Sequence, residues 1–210
     1  MRRFFTYVAA ALFALSPLTM LTPASAQNIS DNELFAVVEA ENVLNSIRTA
    51  RGRFAQQTPD GGFAWGNIAI KRPGRLFFEY DPPEPTLIMA DGTWVILIDR
   101  ELENTTHRRI TRSPLYFLLE DQVDFTNGVC LVDVVEGDQL LEVTVQRIGY
   151  ENDGFLTLIF NPVSKELLAW RTIDGQGEET IIQLADMSYE VDLPNNLFKL
   201  PPGYGKERDR

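Results

Sequence analysis

Apolar and polar residues alternate with a period of two along most of the chain, which predicts β-strands separated by turns. Between positions 68 and 99 this alternation gives three successive apolar faces. Their members are Ile68 and Ile70, then Leu76, Phe78 and Tyr80, then Trp94, Ile96 and Ile98. Prolines and glycines at positions 73–74, 82–85 and 91–92 divide the strands, and the last pair, Asp-Gly, is typical of a hairpin turn.

The second half of the chain continues the strand pattern. Five apolar segments follow position 128, at 129–135, 140–148, 155–160, 166–173 and 179–189. Short turns separate them, so consecutive strands should pair as an antiparallel meander rather than as parallel β-α-β units. A long sheet with one apolar face must close, curl or be covered. The pattern therefore predicts a mainly β protein in which two helical segments cover the sheet.

Two segments change from the strand period to the helical period. The first begins with a capping box, Ser30 to Glu33, and should end near position 47. Its apolar stripe comprises Leu34, Val37, Val38, Leu44 and Ile47. The second begins at Ser113-Pro114, an N-cap followed by proline at the first helical position. Its apolar residues include Leu115, Phe117, Leu118 and Leu119.

Arg72 interrupts the apolar alternation. It has the same parity as Ile68 and Ile70, so a strand that reached it would direct its guanidinium toward the apolar side. A charge in that position needs a partner, since burying it alone is very costly. The alternative is that the strand ends at Lys71 and Arg72 is a solvated turn residue before Pro73. The residues alone favour this alternative.

Several motifs occur in the order found in a known family. The segments 71–74 (Lys-Arg-Pro-Gly), 78–80 (Phe-Glu-Tyr), Pro83 and 91–92 (Asp-Gly) resemble the core motif of the periplasmic outer-membrane lipoprotein carrier proteins of the LolA type. Segment 54–56 (Phe-Ala-Gln) resembles the first-strand motif of that family. The segments 113–119 and 198–203 resemble its internal lid helix and its C-terminal signature.

The resemblance implies a fold and a site. The fold would be mainly β with α: an incomplete, unclosed antiparallel β-barrel, with a lid of α-helices over a hydrophobic cavity. The eight apolar residues of the first paragraph would line the cavity, and the four apolar residues of the second helix would belong to the lid. Arg72 would hold the lid shut. Without the resemblance, the same apolar faces fit a filled core.

The resemblance also implies a function without catalysis. The protein would bind acyl chains of lipoproteins that an inner-membrane ABC transporter releases, and deliver them to the outer membrane, where an acceptor lipoprotein is a further expected partner. No cofactor is implied, and a monomer is expected. The sequence leaves alternatives open: a carrier of another lipid, a lipoprotein-sensing signalling module of the same superfamily, or a scaffold protein with a filled core.

The first residues indicate export. Arg2 and Arg3 precede the apolar run 4–15, and Ala-Ser-Ala at 24–26 is typical of a cleavage site. Residues 1–26 are therefore predicted to be a signal peptide that directs the protein to the periplasm, and residues 27–210 a single mature domain. The only cysteine, Cys130, lies far from this site, so N-terminal lipidation is not expected. Its apolar neighbours predict a buried thiol.

Charge and side-chain chemistry narrow the functional classes further. The net charge of −11 argues against nucleic acid as a partner. His107 is the only histidine, which disfavours a histidine-based metal site or a catalytic triad. We predict no catalytic residues and no metal. Arg108, Arg109 and Arg112 form a basic cluster that fits either docking to a membrane partner or a solvated surface.

Overall fold

The computed structural model describes residues 31–57, 62–126 and 128–204. Within these residues eleven antiparallel strands form one sheet. The strands are β1 (Thr49–Gln57), β2 (Phe63–Lys71), β3 (Arg75–Tyr80), β4 (Thr86–Asp91), β5 (Trp94–Asp99), β6 (Asn104–Arg109), β7 (Val129–Glu136), β8 (Leu141–Arg147), β9 (Gly154–Asn161), β10 (Glu166–Asp174) and β11 (Glu179–Tyr189). The α-helices are α1 (Asp31–Ser46) and α2 (Tyr116–Leu119), and short 3-10 helices span Ile110–Arg112, Glu151–Asp153 and Asn195–Phe198.

The strands follow one another across the sheet in the order β6-β5-β4-β3-β2-β1-β11-β10-β9-β8-β7. β1 joins the two halves because it pairs with β2 on one side and with β11 on the other. Among the described strands β6 and β7 are the two edges and do not pair with each other, so the sheet is an unclosed half-barrel. The predicted mainly β fold with an unclosed antiparallel sheet is confirmed. The segment 110–128, which contains α2, connects the two edge strands.

The main core lies between one face of the sheet and the helical segments. We call this the inner face; on β2 and β3 it carries Ile70, Leu76 and Phe78, and the opposite side is the outer face. Side chains of α1 and of the segment 110–128 are buried in the same cluster as the inner face. Each fully buried aliphatic or aromatic side chain in such a cluster stabilises the fold by about 1.5–3 kcal/mol.

Helix α1 ends at Ser46, one residue before the predicted end, but its buried stripe differs from the prediction. Ala36, Val37, Ala40 and Leu44 are buried, whereas Leu34 and Val38 are exposed. The small alanines lie on the buried side, where they let the helix approach the sheet closely. A stripe drawn through large residues misses such positions. The predicted capping box begins at Ser30, outside the described residues.

Three other predictions concern Cys130, the C-terminal segment and the N-terminus. Cys130 is exposed, not buried, because it follows the buried Val129 and takes the opposite side of β7. The segment 195–204, for which the sequence pattern predicts a last short strand, instead begins with a 3-10 helix at Asn195–Phe198. The predicted signal peptide, residues 1–26, lies outside the described residues. Among the described helices, none combines the length and apolar character that crossing a membrane requires.

Candidate functional site

Five of the eight predicted cavity residues lie together on the inner face. Ile68, Ile70, Leu76, Phe78 and Tyr80 are all at most 9% exposed and belong to the main cluster. Cross-strand register explains the grouping, since Ile68 pairs with Phe78 and Ile70 pairs with Leu76. Residues directly opposite each other on neighbouring strands project to the same face of a sheet.

Two aromatic residues that the sequence reading did not include in the cavity complete this surface. The ring of Phe54 lies edge-on to Phe78 and Tyr80, with centroids 4.7 and 4.9 Å apart, and Trp170 lies 6.0 Å from Phe78. Gly66 makes room for Phe54, since a Cβ at this position would lie 2.5 Å from the Phe54 ring. A glycine inside a predicted strand was the available signal, because it often marks a close approach.

The other three predicted cavity residues lie on the outer face, which corrects the prediction. Ile96 and Ile98 are buried in a separate cluster with Leu87 and Met89, and Trp94 packs against that cluster. The register gives the reason. Ile96 pairs with Met89, and Met89 pairs with Phe77, whereas the inner residue Phe78 is opposite Ile88, and Ile88 is opposite Leu97.

Val95 and Leu97 are therefore the residues of β5 that project to the inner face, and Val95 packs against the main cluster. The outer cluster is covered by the C-terminal segment through Leu200 and Tyr204. A neighbouring outer cluster contains Leu193 and Phe198. Apolar residues on both faces of β5 thus reflect two covers, one on each side of the sheet.

The four residues that the resemblance assigns to a lid lie against the inner face. The name lid is used below for the connecting segment 110–128 that contains them. Phe117, Leu118 and Leu119 are at most 5% exposed and are in the main cluster with the β2 and β3 residues, and Leu115 packs against it. The helix itself is short. Its four residues follow Leu115, while the backbone N–H of Leu115 donates to Ser113 Oγ at 3.3 Å. The apolar side chains of this segment fill space that a ligand of the inner face would need.

Arg72 joins the hairpin after β2 to both helical segments. β2 ends at Lys71, as the alternative reading expected, yet the Arg72 side chain is only 7% exposed. Its guanidinium donates to the backbone oxygen of Leu44 in α1, and its Nε donates to the backbone oxygen of Glu120 at 2.7 Å. Longer bonds reach the oxygens of Ile47 and Asp121, both at 3.4 Å.

Burial lowers the pKa of Arg72 to about 10, and the nearby charge of Arg48 acts in the same direction. The guanidinium therefore stays charged at neutral pH, although its burial disfavours the charge, which is a cost to the folded state. Its hydrogen bonds to carbonyl oxygens offset this cost.

Other polar contacts fasten α1 to the chain that follows α2. Asn45 donates to the backbone oxygen of Val123 at 2.9 Å and accepts from the Val123 N–H at 2.8 Å. Glu41 accepts from the Phe125 N–H, and Arg48 donates to Asp121. These contacts join α1 and the segment 121–125 into one cover. The backbone N–H of Gly74 also donates to the oxygen of Leu119, at 2.7 Å, from the Arg72 hairpin.

A pocket of about 370 Å³ opens beside this hairpin. Residues of the two hairpins, Pro73, Gly74 and Gly92, line it together with lid residues, among them Tyr116, Leu119 and Glu120. Burial raises the pKa of Glu120, whose carboxylate bonds to the Tyr116 hydroxyl. Across the described ranges, no group of three or more histidine, cysteine, aspartate or glutamate side chains could hold a metal ion.

The sequence profile of the family described as outer membrane lipoprotein carrier protein LolA matches residues 45–201. The chain belongs to this family. The match begins at Asn45 and includes Arg72, the lid and Leu200, so most of α1 lies outside the matched LolA region.

Individual relatives agree with the family match. A Pseudomonas aeruginosa protein named outer-membrane lipoprotein carrier protein is 28% identical over 179 residues, which cover 80% of this chain and 85% of that protein. A Dechloromonas aromatica protein of the same name is 28% identical over 182 residues, covering 82% and 86%. The solved structure of a LolA superfamily protein from Nitrosomonas europaea is 13% identical, with a TM-score of 0.43, covering 78% of this chain and 97% of that one.

Proposed function

We propose that this protein carries acylated lipoproteins through the periplasm, from an inner-membrane ABC transporter to the outer membrane or an acceptor lipoprotein there. The observation that carries the proposal is the position of Arg72. One buried guanidinium bonds main-chain oxygens of α1 and of the lid beside the main apolar cluster. The names of the relatives, which are lipoprotein carriers, supply the cargo class.

In this proposal the structure is the closed, empty form. Phe117, Leu118 and Leu119 fill the inner face, so acyl chains enter as the lid leaves. Exposing three such side chains costs about 5–9 kcal/mol. Since each buried methylene gains about 0.8 kcal/mol, roughly ten methylenes of an acyl chain offset the opening of the lid. A fatty acyl chain of ordinary length supplies that number, whereas a short apolar peptide side chain does not.

Arg72 sets the balance between the two forms. When the lid leaves, the guanidinium loses its carbonyl partners and regains water, so loading breaks the contacts that favour the closed form. A ligand that must break closed-state contacts binds with reduced apparent affinity, because only a fraction of the protein is competent at any time. Low apparent affinity allows cargo to leave at the outer membrane.

The test of the cargo uses protein purified from periplasm, native mass spectrometry and lipid extraction. A bound acylated lipoprotein is the expected result. Another bound lipid would support a ligand-binding cavity but identify a different cargo. A protein that does not bind a fluorescent fatty acid would contradict the carrier function.

The test of the latch is Arg72→Leu. Loss of the charged hydrogen bonds should retain cargo about ten- to a hundredfold more tightly, because the empty form no longer regains them. Transfer of a purified lipoprotein complex to outer-membrane vesicles measures this effect. The matched control is Arg75→Leu in the same hairpin, since Arg75 bonds Asn195 on the outer side at 3.2 Å. Equal release by wild type and Arg72→Leu would show that Arg72 is not a latch.

A further inference from the structure

A second arginine contacts the lid at the end opposite to Arg72. Arg147 is the last residue of β8, in the half of the sheet that Arg72 does not reach. Its Nη1 donates to the backbone oxygen of Thr111 at 2.5 Å. Its guanidinium also lies over the ring of Tyr116, 4.9 Å from the centroid.

Tyr150 completes the arrangement around Arg147. The guanidinium is 4.1 Å from the centroid of this ring, so it lies against two aromatic rings, one from the lid and one from the turn after β8. A cation over two rings keeps its orientation, because each ring face attracts it. Tyr150 thus holds Arg147 in place, while Tyr116 and Thr111 are the parts of the lid that it holds.

The two arginines contact opposite ends of the lid. Arg72 bonds the chain after α2, at Glu120 and Asp121, whereas Arg147 bonds the chain before α2 and its first residue. Glu120 and Tyr116 connect the two contacts, since the Tyr116 hydroxyl bonds the Glu120 carboxylate. Each end of the lid is therefore fixed to a different half of the half-barrel.

We propose that Arg147 is a second anchor of the lid, and that cargo entry requires the release of both anchors. This inference rests on the proposed carrier function, because it deepens the account of the same lid. Arg147 is a positioning residue in it: it keeps the first turn of α2 over the inner face without contacting cargo. A lid fixed at both ends opens less often than one that can swing about a single attached end.

The variant Arg147→Gln tests the anchor directly by hydrogen–deuterium exchange of the empty protein. Amides of residues 110–117 should exchange at least about threefold faster, since one hydrogen bond and one cation–π contact are lost. Amides of 121–125 should keep their rates, because α1 holds that segment through Asn45 and Glu41. Arg72→Leu should give the reverse pattern.

Two controls keep this test specific. Arg100→Gln makes the same change of charge and breaks an ion pair with Glu79, away from the lid, so it should leave exchange in 110–117 unchanged. Tyr116→Leu removes the ring that Arg147 contacts but keeps an apolar side chain. If Arg147 acts through Tyr116, adding Arg147→Gln to Tyr116→Leu should change exchange less than Arg147→Gln does alone.

A fluorescent fatty acid separates this inference from the proposed function. With Arg147→Gln, its affinity should rise about three- to tenfold, because opening the lid breaks fewer contacts. Unchanged exchange in 110–117 would overturn the second anchor whatever the probe does. Faster exchange with unchanged affinity would support the anchor and contradict the proposal that the lid controls access of acyl chains.

Discussion

The two faces of strands β2 to β5 are both apolar and both covered, yet the covers differ in their attachments. The inner cover, α1 and the lid, is held by arginine and asparagine side chains that bond main-chain atoms, and it encloses Arg72, the one charged residue classed as buried in the described ranges. The outer cover, the C-terminal segment, packs through Leu193, Phe198 and Leu200.

Under the proposed function, this difference distinguishes a cover that opens from one that stays in place. In the proposed function Arg72 regains hydration when the inner cover leaves, which offsets part of the loss of its hydrogen bonds to main-chain oxygens. The outer cover has no such charge within its clusters: its polar contacts, Lys71 to the Leu193 oxygen at 2.6 Å and Arg75 to Asn195, are only partly buried or exposed. We expect the outer cover to stay in place while the inner cover moves.

The largest expected effect is on stability, from a truncation under the outer cover. Ile98→Ala should lower the free energy of unfolding by about 2–4 kcal/mol, because Ile98 is only 1% exposed and a cavity would remain. The affinity for a fluorescent fatty acid should not change, since Ile98 lies on the outer face. Urea unfolding and a binding titration measure both quantities. A change in affinity would instead support the prediction that Ile98 lines the cavity.

A smaller effect is expected from the polar attachments of the inner cover. Asn45→Ala removes both bonds to Val123 and should cost about 1–3 kcal/mol, because the Val123 N–H and oxygen lose their partner. Exchange of the Val123 amide should accelerate more than that of amides in β9. Asn104→Ala, on the exposed edge strand β6, is the matched control. An equal loss of stability in both variants would contradict the attachment.

The smallest effect concerns the charge of Glu120. Burial raises its pKa in the folded protein, so its favourable contribution is present at low pH and is lost as the pH rises through that raised value. Glu120→Gln should therefore raise the melting temperature at pH 7 by less than about 2 °C and leave it unchanged at pH 4. A thermal melt of both proteins at the two pH values checks the sign. A lower melting temperature at pH 7 would contradict it.

Most strands and the pairing of consecutive strands could be predicted from the sequence, because alternation and turn residues are local signals. The polar strand β6 and the pairing of β1 with β11 could not. The face of the sheet to which each side chain of β5 projects could not be predicted in this way. Adding or removing one residue in a turn moves every side chain of the next strand to the other face of the sheet. The sequence around Gly92 does not show how many residues the turn contains. The apolar residues Trp94, Ile96 and Ile98 therefore looked like a continuation of the β2 and β3 wall.

The role of Arg72 lies beyond local pattern for another reason. Its partners are main-chain oxygens of Leu44 and Glu120, 28 and 48 residues away, and a main-chain oxygen has no signature in sequence. The role of Arg147 is still harder to predict, because arginines are common at strand ends and its contact with the lid is visible only in the structure. The alternation singled out Arg72 but favoured a solvated turn residue, and only the family resemblance gave it the role of holding a lid. Nothing in the sequence analysis pointed to Arg147.

The lid is also the connector between the two edge strands, and this has a mechanical consequence. Residues 110–128 are tethered at Arg109 on one edge and at Val129 on the other. Fully extended, such a tether reaches about 60 Å, and every helical turn shortens it. The contour length of the tether therefore limits how far the edges can part, and unwinding α2 would release slack. Under the proposed carrier function, the size of the largest cargo would then depend on the length of this connecting segment as well as on the residues of the inner face.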